Sequence, residues 1–131
     1  MQYNPGSKTA LGLDANIGAL LCYLPVCLIS LIYSIIVIAT DKENTFVRFH
    51  AFQSLMLSIL YIVLVVVLQI FGSVVAIAMD SGIIGMLISL FVLVVVVAFL
   101  GLMIFGMIKG YQGQIVKFPI VGDMAEKWAN G

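Results

Sequence analysis

Charge is what this chain has least of. Of its 131 residues six are Lys or Arg and six are Asp or Glu, 9% charged where a soluble domain carries about 25%. None of the twelve falls within Ala15–Ala39, Ala51–Met79 or Ile83–Ile108. A net charge of zero gives no reason to expect nucleic acid or an acidic substrate as partner. A single histidine, His50, leaves no His pair for a metal centre, and no Cys or carboxylate stands at ligand spacing from it. No nucleophile is paired with it by spacing either, so a catalytic base is not indicated. Cys22 and Cys27, the two cysteines, are five apart; they form no CxxC pair, share no helix face and read as small apolar fillers.

What is present is hydrocarbon. Mean hydropathy is +1.24. Each of the three uncharged runs exceeds the roughly 20 residues a helix needs to cross a hydrocarbon core of about 30 Å. The sequence therefore predicts an all-α integral membrane protein with one membrane domain over residues 1–131. Three transmembrane helices are expected at about 15–39, 50–79 and 83–108, joined by a loop at 40–49 and followed by a tail at 109–131. Met1–Leu13 holds Lys8 as its one side-chain cation and lacks the basic cluster of a signal peptide, so the first run is read as a retained span. Asp14 is positioned to cap it.

Pro25 near the middle of the first run removes a backbone hydrogen bond and predicts a kink. An alternative lays Leu13–Leu24 along the interface and inserts only Val26–Ala39; one kinked span is preferred. In the loop, Phe46, Val47 and Phe49 interrupt the charge, which suits a segment at headgroup level. Asp80-Ser81-Gly82 reads as a tight turn. In the tail, Gly110, Gly113 and Pro119 break any long helix, and Met124–Trp128 forms a short amphipathic stretch with Lys127 and Trp128 as interfacial anchors. With three spans, Lys42, Arg48, Lys109, Lys117 and Lys127 share one side and Lys8 takes the other. The positive-inside rule then puts loop and tail in the cytoplasm and the N-terminus outside, in the plasma membrane.

Polar residues inside the spans are few and patterned. His50, Ser54, Ser58, Tyr61, Gln69 and Ser73 follow helical steps along the second span, and Gly72 and Ala76 continue that face. Small residues let helices approach and polar ones hydrogen-bond across, so the stripe reads as a packing seam against the other helices or a second copy. Gln69 is the one deep amide. Gly106 and Gly110 form a GxxxG at the end of the third span, a pattern common to membrane helices and weak evidence for a homodimer. Arg48 is placed to reach a lipid phosphate, or Asp123 or Glu126 in the tail.

Two segments, KENTFVRFHAFQS over Lys42–Ser54 and KGYQGQIVKFPIVGDMAE over Lys109–Glu126, together with Gly12-Leu13-Asp14, resemble a widespread family of small prokaryotic membrane proteins of unknown function. That family looks related to the twenty-kilodalton subunit of the chloroplast inner-envelope protein translocon. The motif positions are Arg48, His50, Gln53, Ser54, Tyr111, Gln112, Gly113, Pro119, Gly122 and Asp123. The resemblance implies loop, second-helix start and tail packed together, or a docking surface, on the cytoplasmic side. The plant relatives are described with four spans, one more than is found here.

The expected function is a non-enzymatic interaction protein, an accessory or assembly subunit of a larger membrane complex. The alternative is a component of a protein or solute translocation pathway working as an oligomer or with partners. Arg48, His50, Gln53, Ser54, Gln69, Tyr111 and Asp123 are the candidate interaction residues. No cofactor, metal or nucleic acid is expected; the expected partners are the lipid bilayer and another membrane protein or a second copy.

Overall fold

The structure, a computed structural model, describes residues 8–24 and 27–130, with Cys27 described by its backbone alone. Among the described residues five helices follow in order: α1 (Ala15–Cys22), α2 (Cys27–Thr40), α3 (Thr45–Ala78), α4 (Gly82–Tyr111) and α5 (Val121–Asn130). Two of them, α3 and α4, are long and apolar enough to cross a membrane. At 1.5 Å per residue their 34 and 30 residues reach about 51 and 45 Å. The chain divides into two compact units, Met1–Ser58 with Leu102–Gly131, and Ile59–Gly101.

The first apolar run is not one continuous span. Helix α1 stops at Cys22, and the Tyr23 and Leu24 amides close back on the Leu20 and Leu21 carbonyls. Leu24 precedes a proline, which pushes it out of helical dihedrals. Pro25 itself, and with it the expected kink, lies outside the described residues. Helix α2 has 14 residues, about 21 Å, short of the hydrocarbon thickness.

The two halves of the run also lead back to where it began. The Ala10 amide donates to Asp41 Oδ2 (3.0 Å), and Asn44 Nδ2 donates to the Lys8 carbonyl (3.2 Å). Asp41 is 5% exposed, so its carboxylate depends on such donors. The segment before α1 therefore lies beside the loop after α2. A single span would have put them on opposite sides of the bilayer; the opposite-side placement of Lys8 is corrected accordingly. The Lys8–Leu13 segment is itself held by Thr9–Leu13 backbone pairing (2.8 Å) and by Lys8 on Asp14 Oδ1 (2.5 Å). Asp14 does stand at the N-cap of α1, but its carboxylate serves Lys8 rather than the helix amides.

Helix α3 starts at Thr45, five residues ahead of the expected His50. Asn44 caps it, its Oδ1 accepting from the Val47 amide (3.3 Å), while Asp41 Oδ1 accepts from the Asn44 amide (3.2 Å). Such a cap contributes about 1 kcal/mol. The expected loop thus shrinks to Asp41–Asn44. Phe46, Val47 and Phe49 are fully buried helix residues rather than headgroup-level loop residues, because a single helical turn carries all three into the first unit's core.

The second unit is a helical hairpin. Helix α3 ends on Asp80 at φ 48°, with the Asp80 amide on the Ile77 carbonyl and the Ser81 amide on the Ala76 carbonyl, both within 3.1 Å. These are the paired bonds of a Schellman stop. Ser81 then turns its hydroxyl to the Ile84 amide (3.4 Å) and opens α4. Within the hairpin Tyr61 stacks on Phe99 (centroids 4.0 Å, planes at 15°). A Cβ on Gly72 would stand 2.4 Å from Ile88 Cγ2, so that glycine lets the helices close. Most other side chains of the hairpin, among them Val67, Ile70, Val74, Leu87 and Val94, are exposed and apolar.

Helix α4 ends with the same chemistry in the first unit. Gly113 takes φ 74°, its amide bonds the Gly110 carbonyl (3.1 Å), and the Gln114 amide bonds the Lys109 carbonyl (3.0 Å). Extended chain follows to Phe118, then a tight turn with Ile120 at φ 73°. Helix α5 buries Val121, Ala125 and Ala129, the last two against Phe49 with Phe52, Met56 and Ile115 around them. It extends beyond the expected Met124–Trp128 at both ends.

Candidate functional site: a buried polar network on Tyr23

The first unit holds a polar centre inside its apolar core. Tyr23, His50, Gln53, Ser34 and Ser54 are each no more than 1% exposed. Gln53 is its most connected member. Its Nε2 donates to the Tyr23 hydroxyl (2.8 Å) and to the Val116 carbonyl (2.9 Å), and its Oε1 accepts from the Phe118 amide (3.0 Å). The Tyr23 hydroxyl also meets His50 Nδ1 at 3.0 Å. The other ring nitrogen, Nε2, faces the Gln114 backbone short of regular hydrogen-bond geometry. Phe46, Phe49 and Tyr23 surround the imidazole edge-to-face at 4.8–5.4 Å. One side chain on α3 thereby ties the break after α1 to the extended tail. Ser54 completes the α3 side by sharing a hydrogen bond with Ser34 of α2 (2.8 Å).

Glycine makes room for the hub. A Cβ on Gly106 would stand 2.8 Å from the Tyr23 ring, and one on Gly110 would stand 2.9 Å from Ala19 Cβ. The GxxxG at the end of α4 is therefore occupied from within the chain, by α1 and the residue that follows it.

Arg48 turns to neither tail carboxylate. Its Nη1 donates to the Ile38 carbonyl near the end of α2 (3.1 Å), and the guanidinium lies 5.4 Å over the Phe52 ring. It satisfies one of the carbonyls a helix end leaves open. Asp123 and Glu126 instead meet Lys117, Asp123 at 3.6 Å and Glu126 by a hydrogen bond. Glu126 beside it holds the Lys117 ammonium above its ordinary range. In so exposed a position this clasp adds little to stability.

Of the seven candidate residues, His50, Gln53 and Ser54 are buried in this core, and Arg48 stands half-buried in the same unit on the Ile38 carbonyl. Tyr111 leaves its side chain exposed and contributes its carbonyl, which accepts from Asn16 Nδ2 (3.2 Å). Asp123 is on the surface of α5. Gln69 stands in the other unit, exposed, so the helical stripe His50–Ser73 is not one seam: its first three members are buried and its deep amide is not. Sequence reasoning missed Tyr23, Asp41 and Asn44. Asn44 before an apolar run carried a capping signal, whereas nothing local marked Tyr23, whose partners are 27 and 30 residues distant, or the bond of Asp41 to Ala10, 31 residues away. Cys22 is buried and free; the side chain of Cys27 is outside the described residues. Among the described residues no three His, Cys, Asp or Glu side chains gather as metal ligands.

Known proteins fit this arrangement. The chain is 35% identical over 119 residues to the UPF0132 membrane protein MJ1527 of Methanocaldococcus jannaschii, covering 91% of this chain and 73% of that protein. It is 36% identical over 122 residues to the UPF0132 membrane protein MJ1443 of the same organism, covering 93% and 94%. No solved structure matches. Neither relative is named for a translocon, and neither supports the resemblance to the chloroplast subunit. Residues 14–125, which include the whole Tyr23 network, match the magnetosome magnetite crystal formation protein family, and this membrane protein belongs to it.

Proposed function

We propose that this protein is a non-enzymatic accessory or assembly subunit of a larger membrane complex. The observation that carries the reading is how the motif side chains are used. Gln53, His50, Ser54 and Arg48 bond inward, to Tyr23, the tail backbone, Ser34 and the end of α2. They fix a shape rather than line a reaction cleft, and what the shape presents outward is apolar helix surface. The family description, magnetite crystal formation, suggests the kind of process such a subunit serves. A direct grip on mineral is the less favoured form of that role. Four of the six carboxylates are committed, Asp14, Asp123 and Glu126 to lysines and Asp41 to backbone amides, which leaves the exposed Glu43 and Asp80, one in each unit and not a cluster. A translocation role, the second reading, has no observation beyond the resemblance in its favour.

Extraction of the tagged protein in mild detergent, native-gel sizing and mass spectrometry of co-migrating chains test the proposal. The expected result is a stable assembly with at least one other membrane protein. Migration alone or only with itself overturns the accessory role.

The proposed location is the plasma membrane, with both ends of the α3–α4 hairpin cytoplasmic. Lys8 lies beside the Asp41–Asn44 loop, and all six cations belong to the first unit and none to the hairpin that carries Asp80; the positive-inside rule favours that first unit as the cytoplasmic part. A cysteine replacing Ser81, in a background without Cys22 and Cys27, should react with an impermeant maleimide on intact cells. Reaction only after lysis would invert the orientation.

A further inference from the structure

Helix α2 carries its polarity inside out. Leu28, Ile29, Ile32, Ile35 and Ile36 form one stripe along its outer face, each 39–72% exposed. Its serines turn the other way: Ser30 and Ser34 are buried, and Ser34 bonds Ser54 of α3. A helix lying flat on a membrane keeps a polar row toward water along its whole length. From Leu28 onward α2 has no such row. Its exposed side chains are all apolar as far as Thr40, whose hydroxyl is spent on the Ile36 carbonyl (2.7 Å), and the Tyr33 hydroxyl is buried. Polarity changes along the helix axis instead, because Asp41, Lys42 and Glu43 follow the last turn directly. Helix α1 shows the same gradient, with Lys8 and Asp14 before it and Tyr23 as the one polar side chain from Ile17 to Leu24.

The two polar ends stand at one level, tied by Ala10 to Asp41 and by Asn44 to Lys8. Between them the helices are in close contact: a Cβ on Gly18 of α1 would stand 3.3 Å from the Tyr33 hydroxyl of α2. We infer that α1 and α2 form a re-entrant pair, entering the bilayer and leaving it on the same side, with the outer face of α2 against the acyl chains of a single leaflet. The 14 residues of α2 reach about 21 Å, the depth of one leaflet with its headgroups. Non-helical backbone at such a depth must be satisfied and covered by protein. The break after α1 meets that demand: the Tyr23 and Leu24 amides close on the Leu20 and Leu21 carbonyls, and Tyr23 is fully buried with its hydroxyl held by Gln53. The seat rests on the membrane reading above and adds a lipid contact confined to one leaflet.

Spin-label depth measurements on the full chain in phosphatidylcholine–phosphatidylglycerol vesicles test it, in a background without Cys22 and Cys27. Nitroxides on Leu28→Cys, Ile32→Cys and Ile36→Cys should collide with oxygen more than with a water-soluble nickel chelate. The excess should grow from Ile36 to Leu28, placing Leu28 deeper by up to about 12 Å. Lys8→Cys and Lys42→Cys should react with an impermeant maleimide from the same side of the membrane. Trp128 emission matching the parent protein shows that each variant is folded. Equal depth at the three positions would lay α2 flat on the surface. Reaction of Lys8→Cys and Lys42→Cys from opposite sides would make the run cross. Low oxygen collision at all three positions would put protein, not lipid, against α2. Each of these overturns the re-entrant seat and leaves the accessory role, which native-gel sizing reads, standing. Release from the vesicles by alkaline carbonate would overturn the seat and the membrane reading together.

Discussion

Replacing Gln53 with leucine should cost about 2–4 kcal/mol of unfolding free energy, since three groups lose a bond and the two left with none, one buried and one part-buried, cost about 1–3 kcal/mol each, while the Tyr23 hydroxyl keeps His50. Those groups are the Tyr23 hydroxyl, the Val116 carbonyl and the Phe118 amide. Leucine matches the volume but offers none of them a bond, and Tyr23, Gln53 and Phe118 are all buried, so water reaches these groups only by opening the core. The tail should loosen first, because residues 114–118 form no regular element and Gln53 anchors them. Trp128, the one tryptophan, packs edge-to-face on Phe52 at 5.8 Å and reports this directly. In mixed micelles its emission should shift red at lower denaturant than in the parent protein. An unchanged midpoint would mean that the network is not what holds the tail.

The second large effect is a change of sign between two glycines on one helix. Gly106→Ala should destabilise by about 1–3 kcal/mol, the usual cost of overpacking. Its new methyl would press within 2.8 Å of the Tyr23 ring, which His50 and Gln53 hold in place and which cannot swing aside without breaking both bonds. Gly101→Ala, just over one turn earlier on α4, meets nothing within 4 Å and should stabilise by about 0.5–1 kcal/mol through the lower backbone entropy of the unfolded chain. Denaturant titration of the two variants followed by Trp128 checks this, and equal effects would mean that α4 does not rest on Tyr23 through Gly106.

Much of the secondary structure could be read directly. Uncharged runs of this length admit little but helix in a bilayer, because every backbone amide must be satisfied within its own segment. Helices α3 and α4, the turn at Asp80 and the helical segment around Met124–Trp128 followed from that and from turn chemistry. The start of α3 was misplaced by five residues, since Phe46, Val47 and Phe49 among charges look like an interfacial loop until their burial is known.

The candidate site was half legible. The KENTFVRFHAFQS segment drew attention to Arg48, His50, Gln53 and Ser54, and the structure gathers all four into one unit. Their partners were not legible, because those bonds join residues 10 to 65 positions apart. Composition by itself determined the solvent of this protein: burying charge in hydrocarbon is too costly for runs like these to arise elsewhere in such numbers. Only the tertiary structure decided that the segment before α1 returns beside the loop after α2, that Gly106 and Gly110 seat Tyr23 and Ala19, and that Gln69 stands exposed apart from His50, Ser54 and Ser58. Each depends on which atoms meet across the fold, and residue spacing along one helix fixes a face without saying what stands opposite it.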